Sequence, residues 1–176
     1  MQHIMLDLET LDTATSAAIL SIGAVKFDPN SESPLGEKFY LALDVQSNID
    51  AGRTISGDTL NWWMGQDNEA RAVFKGPQRV ALPEALEALA SFFDHPDYKV
   101  WGNGSDFDNA ITIHAFRQQG WNAPWKFWNN RCYRTLKGLP GVPKMAPFEG
   151  KHNALIDACA QALHLQTFFS SLKVGA

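Results

Sequence analysis

The pattern of apolar and polar positions divides the chain into strand-like and helical stretches. Residues 2–8 form a first short apolar run, and residues 20–28, LSIGAVKFD, form a second that is apolar and β-branched. Asp28-Pro29-Asn30 then turns the chain, and residues 36–43, GEKFYLAL, read as a third strand. Three strands joined by short connections make an antiparallel meander. From there the period becomes helical. Thr59–Met64 and Glu69–Phe74 suggest two short helices, and residues 82–94 a longer one. In that helix Pro83 takes a first-turn position, and Leu82, Leu86, Leu89 and Phe93 keep helical spacing. Residues 98–101 read as a fourth strand, 106–119 as a helix closed by Gly120, and Phe127-Trp128 as the place of a short strand. Residues 138–151, rich in Gly and Pro, form a long loop. A last helix spans 153–172, with Ala154, Leu155, Ala158, Ala162, Leu163 and Leu165 on its apolar side. The order βββ-α-β-α-β-α predicts an α/β fold, a mixed sheet with helices packed on it.

Length and composition narrow this picture. The 176 residues suit one domain with its own core, 1–176. Apolar residues make up 45% and charged residues 19%, which excludes a disordered chain. No apolar run approaches the ~18–20 residues needed to span a membrane. Residues 1–30 lack a basic start followed by an apolar stretch, so no secretory leader is expected. Cys132 and Cys159 are too few for a disulfide framework or a zinc site, and they point to a reducing compartment. A cytoplasmic protein with no membrane partner is expected. The net charge of −4 argues against a protein that coats nucleic acid, unless bound cations cancel it.

The candidate chemistry is acidic. Asp7 and Glu9 stand two apart at the end of the first strand, so their carboxylates share a face and repel. A shared proton, a distant arginine or a metal ion would each compensate them. Asp106 and Asp108 lie between the fourth strand and its helix; His152 and Asp157 lie at the start of the last helix. Singly, each has an ordinary reading: solvated strand ends, a helix cap, a structural histidine. Gly102-x-Gly104 lacks the third glycine of a dinucleotide fingerprint, and no Walker lysine follows it. Together, several carboxylates and one histidine form a donor set that Mg²⁺ or Mn²⁺, hard cations preferring oxygen, would satisfy. Two such ions can activate a water and stabilise the leaving oxygen of a phosphodiester. Five residues on a helix turn through about 140°, so His152 is expected on the loop ahead of the helix and Asp157 in its early turns.

These motifs resemble those of the DEDDh 3′–5′ exonucleases of the RNase H-like (DnaQ-like) superfamily. That group includes the proofreading subunit of bacterial replicases, RNase T and oligoribonuclease. The likeness is nearest to the short exonuclease VIII-like proteins of phages and prophages. Asp7-Leu8-Glu9-Thr10 is similar to the D-x-E-T motif. Asn103 to Asp108 is similar to the motif in which an aspartate follows an aromatic residue. His152 to Asp157 is similar to H-x₄-D. The three occur in order across nearly the whole chain. The resemblance implies a five-stranded mixed sheet with strand 2 antiparallel to the rest. It implies two Mg²⁺ (or Mn²⁺) ions, Asp7 bridging both, Glu9 and Asp157 completing one site and Asp108 the other, with His152 as general base. Asp108 rather than Asp106 is the expected ligand because it follows Phe107. Leu8, Thr10, Leu11, Phe107 and Lys151 are expected against the substrate. Leu11 stands where many relatives carry glycine, which puts the shape of the 3′-end pocket in question.

The implied activity is hydrolysis from the 3′ end of single-stranded DNA or RNA, releasing nucleoside 5′-monophosphates, by a bacterial protein or a phage protein in the bacterial cytoplasm. Relatives that are dimers make a homodimer an option. An oligonucleotide phosphodiesterase and a non-catalytic nucleic-acid-binding module are the alternatives, but a binder has no need of all five groups. A glycosidase carboxylate pair leaves His152 and two acids without a role. Between residues 126 and 151, six cations (Lys126, Arg131, Arg134, Lys137, Lys144 and Lys151) face only Glu149, with Phe127, Trp128 and Tyr133 interleaved. They read either as a single-strand surface or as a solvated face over core rings. Trp62-Trp63 sits in a helical pattern, so at least one of its rings is expected to be buried.

Overall fold

The computed structural model describes residues 2–31, 33–75 and 78–174. Strands β1 (His3–Thr10), β2 (Ile19–Phe27) and β3 (Lys38–Ala42) form the meander. Helices α1 (Val45–Asp50), α2 (Gly57–Met64) and α3 (Leu82–Phe92) follow, with a 3₁₀ turn at Ala70–Phe74. Strand β4 (Lys99–Gly102) leads through a π-turn, Ser105–Asn109, into α4 (Ala110–Gln118). Strand β5 (Asn130–Cys132), α5 (Tyr133–Lys137) and α6 (Ala154–Val174) complete the chain. The sheet order is β3-β2-β1-β4-β5. β2 runs antiparallel to β1 and β3, while β4 is parallel to β1 and to β5, as expected. No helix among the described residues is long and apolar enough to cross a membrane.

Alternation along β1 sets up the site. Ile4, Leu6 and Leu8 point into the core shared with α3 and α4. Met5 points the other way, into the core under Ala158, Ala162 and Leu165 of α6. With a period of two, Asp7 and Glu9 fall on the α6 face. Both carboxylates therefore stand in a continuous buried strand, with a helix lying across them.

Some expectations shift. The short strand is not at Phe127-Trp128. Those residues open a 3₁₀ turn, 72% and 61% exposed, and β5 begins at Asn130, where the chain pairs in register with Val100. The rings are therefore not core. Leu163 is half exposed, because the seam of α6 follows Ala154, Ala158, Ala162 and Leu165. Helices α1 and α5 lie where none was expected.

Gly23 opposes Asp7 across the β1–β2 ladder. A Cβ on Gly23 would come within 2.2 Å of the backbone of Ala154, at the start of α6. The missing side chain is what lets the helix descend onto the sheet and carry Asp157 to the strand. Gly23→Ala is expected to cost about 1–3 kcal/mol, as overpacking does, because no rotamer relieves a clash with backbone. It should also cut the nuclease activity implied by the resemblance more than tenfold by displacing Asp157. A thermal melt beside an activity assay checks both, and wild-type behaviour in each would remove Gly23 from this role.

Candidate active site

Carboxylate oxygens of Asp7, Glu9 and Asp157 lie within 4.8 Å of one another. Asp7 and Glu9 come from β1, and Asp157 from the first turn of α6. Asp108 arrives from the π-turn after β4, where the extra residue in the turn re-aims it toward β1. Its Oδ1 accepts the Leu8 N–H at 3.1 Å. Asp108 is 2% exposed whereas Asp106 lies on the surface, which separates the two aspartates. The N-cap position of the π-turn is Gly104 and that of α4 is Asn109, so Asp106 caps neither element.

His152 sits on the loop ahead of α6 with φ of 64°, a left-handed conformation. Its N–H donates to Asp157 Oδ2 at 2.7 Å, so the histidine's own backbone fixes the carboxylate. Its imidazole lies edge-on to Trp62, with ring centroids 5.0 Å apart, and near Trp63 at 6.2 Å. Trp63 is the buried member of the tryptophan pair, and its indole N–H donates to the Thr10 carbonyl. All five expected groups line one cavity of about 220 Å³.

Gln161 joins them unannounced. It stands four residues after Asp157, hence on the same helical face, and its Nε2 donates to Asp7 Oδ1 at 2.8 Å. Sequence spacing contained that signal, but it is readable only once α6 is known to lie over β1.

The electrostatics ask for a cation. Burial, and then the charges of Asp108, Glu9 and Asp157, push the Asp7 carboxyl well above the usual range. Burial with Asp157 and Asp108 pushes Glu9 up to about 8, and burial takes Asp108 to about 7. Among the described residues, Asp108 Oδ2 and Gln161 Oε1 are buried without a hydrogen-bond partner. Converging oxygens, mutual repulsion and unpartnered acceptors are the donor chemistry that suits a hard divalent ion. The residues fit such an ion.

The raised acids also fix a sign. The folded chain holds the Glu9 proton up to about pH 8, while the unfolded chain releases it near 4.5. Stability from that proton is therefore lost as pH rises toward 8. Half-buried His3, held down near 4 mainly by desolvation, acts oppositely only below about 6.5. In EDTA, Tm is expected to fall by roughly 5 °C or more between pH 6.5 and 8.5, at ~2–4 °C per kcal/mol for a chain of this size. Millimolar Mn²⁺ should remove most of that fall. A flat or rising Tm in EDTA would show that the carboxylates are not forced together.

Beside the carboxylates lies a mainly apolar cavity of about 400 Å³, walled by Leu8, Glu9, Thr10, Trp62, Trp63 and Phe107. Leu8, Thr10 and Phe107, three of the residues expected against the substrate, line that cavity. Leu11 differs: it is 3% exposed, packed with Leu20 and Trp63, and shapes the pocket from behind through Trp63. Leu11 was expected against the substrate, but the chain folds it into a small core. Lys151 is exposed beside Phe148 and lines neither cavity.

Known proteins resemble this chain in sequence and in fold. An exodeoxyribonuclease of Enterobacteria phage T4 is 25% identical over 163 residues, covering 77% of this chain and 70% of that protein. E. coli exonuclease I in complex with a dT13 oligonucleotide superposes with a TM-score of 0.66 at 15% identity, over 98% of this chain and 42% of that one. The chain thus spans less than half of exonuclease I. Cell-death related nuclease 4 superposes at 0.60 with 12% identity, over 96% and 63% of the respective chains. Residues 2–169 match the 3′-5′ exoribonuclease Rv2179c-like domain. The chain belongs to that family and is a 3′–5′ exonuclease on an RNase H-like nuclease fold.

Proposed function

We propose that this exonuclease removes nucleotides one at a time from the 3′ end of single-stranded RNA or DNA, releasing nucleoside 5′-monophosphates. The observation that carries this reading is the convergence of Asp7, Glu9 and Asp157 within 4.8 Å, beside an apolar pocket of nucleotide size. Asp7, Glu9, Asp108 and Asp157 would hold two divalent cations, Mg²⁺ or Mn²⁺, which when bound supply charge stabilisation for the phosphodiester and a more acidic water. Gln161 holds the Asp7 carboxylate in register with the others through its amide. His152, fixed between Trp62 and the Asp157 bond, takes the proton of the attacking water. The terminal base lies against Trp62 and Phe107, where an aromatic face accepts any base.

Support for the single strand comes from likeness to exonuclease I, whose solved complexes hold dT13 and dA16 oligonucleotides. A zinc-ion-bound form of that enzyme with single-stranded DNA supports a divalent ion as cofactor. The sugar is open between the family's description as an exoribonuclease and the phage relative's name as an exodeoxyribonuclease. The test uses 5′-labelled single strands of one sequence, as DNA and as RNA, with Mg²⁺, Mn²⁺ or EDTA. A metal-dependent ladder shortening from the 3′ end supports the proposal, and the faster strand names the sugar. Binding without degradation, indifferent to EDTA, would instead favour a binding module.

A further inference from the structure

The basic run from residue 126 to residue 151 separates into two regions in the folded chain. In the first, the cations already have partners. Lys126 pairs with Asp97 at 2.6 Å, and the Arg131 guanidinium donates to the carbonyls of Trp128 and Asn130. In the second, Arg134, Lys137 and Lys144 have no carboxylate within ion-pair distance among the described residues. Arg134 and Lys137 are three apart on α5, and side chains at that spacing are neighbours, about 5–6 Å between Cβ atoms.

Arg134 occupies a junction. Its guanidinium lies over Gly104, which has φ of 119° and no side chain; a Cβ there would sit 3.2 Å from Arg134 Cζ. Among the described residues, Arg134 is the one side chain of fixed positive charge lining the carboxylate cavity. It also lines a second cavity of about 450 Å³, together with Lys137 and Lys144, over an apolar floor of Tyr133, Val142 and Met145. Among the described residues, no acidic one lines that groove. Burial and the neighbouring Arg134 hold the Lys137 amine below its ordinary value, a repulsion that an anion between the two would relieve.

We propose that this groove is the track for the strand upstream of the bond being cut. Arg134 takes the phosphate next to the reacting one, and Lys137 and Lys144 take those that follow. The groove fits a polyanion, and its continuity with the acidic cleft through Arg134 fits a strand that enters the site end first. The proposal rests on the single-strand exonuclease reading above.

The test compares wild type with a Lys137→Ala/Lys144→Ala double variant on two substrates. One is a labelled single-stranded 12-mer; the other is the 4-nitrophenyl ester of thymidine 5′-monophosphate, which has no upstream phosphate. The double variant is expected to lose at least tenfold more kcat/KM on the 12-mer than on the ester, mostly through KM. Binding of the 12-mer is measured separately in EDTA against salt. The slope of log K against log salt should fall by about 1.4, at ~0.7 per phosphate contact on a single strand. Equal losses on both substrates, or an unchanged slope, would overturn the track. A wild-type chain that binds the 12-mer but cuts neither substrate would overturn the exonuclease reading, while the salt slope still decides the groove.

Discussion

Asp7→Asn is expected to reduce turnover at saturating Mg²⁺ or Mn²⁺ by about 10³-fold or more while raising the melting temperature in EDTA. The two effects have one origin. Asp7 is buried, with Asp108, Glu9 and Asp157 all raising its pKa, so its charge is costly in the folded chain without a cation. Asparagine has the same shape, and its carbonyl oxygen can still accept the Gln161 amide bond that Asp7 Oδ1 accepts. Folding keeps its contacts and loses a repulsion. Turnover loses the group best placed to hold the cations, and charge stabilisation of several kcal/mol corresponds to about 10³ in rate at 1.36 kcal/mol per tenfold. The labelled-strand assay and a melt in EDTA read the two signs together. Near-wild-type rates would remove the metal-centred mechanism. Lost activity with a lowered Tm would mean that Asp7 is needed for the fold instead.

The site was legible in the chain because its residues sit at element ends with fixed periods. Asp7 and Glu9 share a face by strand alternation, and Asp157 follows a helix start. Their meeting depends on Gly23, whose significance lies in what is absent from it and shows only when Ala154 is seen above it. Asp106 and Asp108 could not be separated by spacing, since both lie in the first turn of one element; burial separates them. Short helices were missed because local bonds at their starts, rather than apolar periodicity, mark them. The side chain of Asp44 accepts the Ser47 N–H ahead of α1, and Cys132 Sγ, an uncommon cap, accepts the Thr135 N–H ahead of α5. Phe127-Trp128 looks like a strand by composition, yet pairing with β4 is decided three residues later, at Asn130.

His152→Ala is expected to lower kcat by about 10²–10⁴ at saturating metal, the range for a lost general base, with the metal dependence unchanged. The separation of these two readouts follows from the geometry. The bond that fixes Asp157 comes from the backbone N–H of residue 152, which alanine retains. The left-handed φ of 64° burdens any residue with a Cβ, so the substitution adds little strain of its own. Removing the imidazole opens a space walled by Trp62 and Trp63. Added imidazole should enter it and restore part of the rate, with a pH dependence that follows the added base. Such rescue separates proton transfer from simple support of the loop, because a filler that cannot titrate would restore neither. A variant whose metal requirement rises while its saturated rate stays near wild type would make His152 an orienting group for Asp157, and proton removal would then have to come from elsewhere in the cleft.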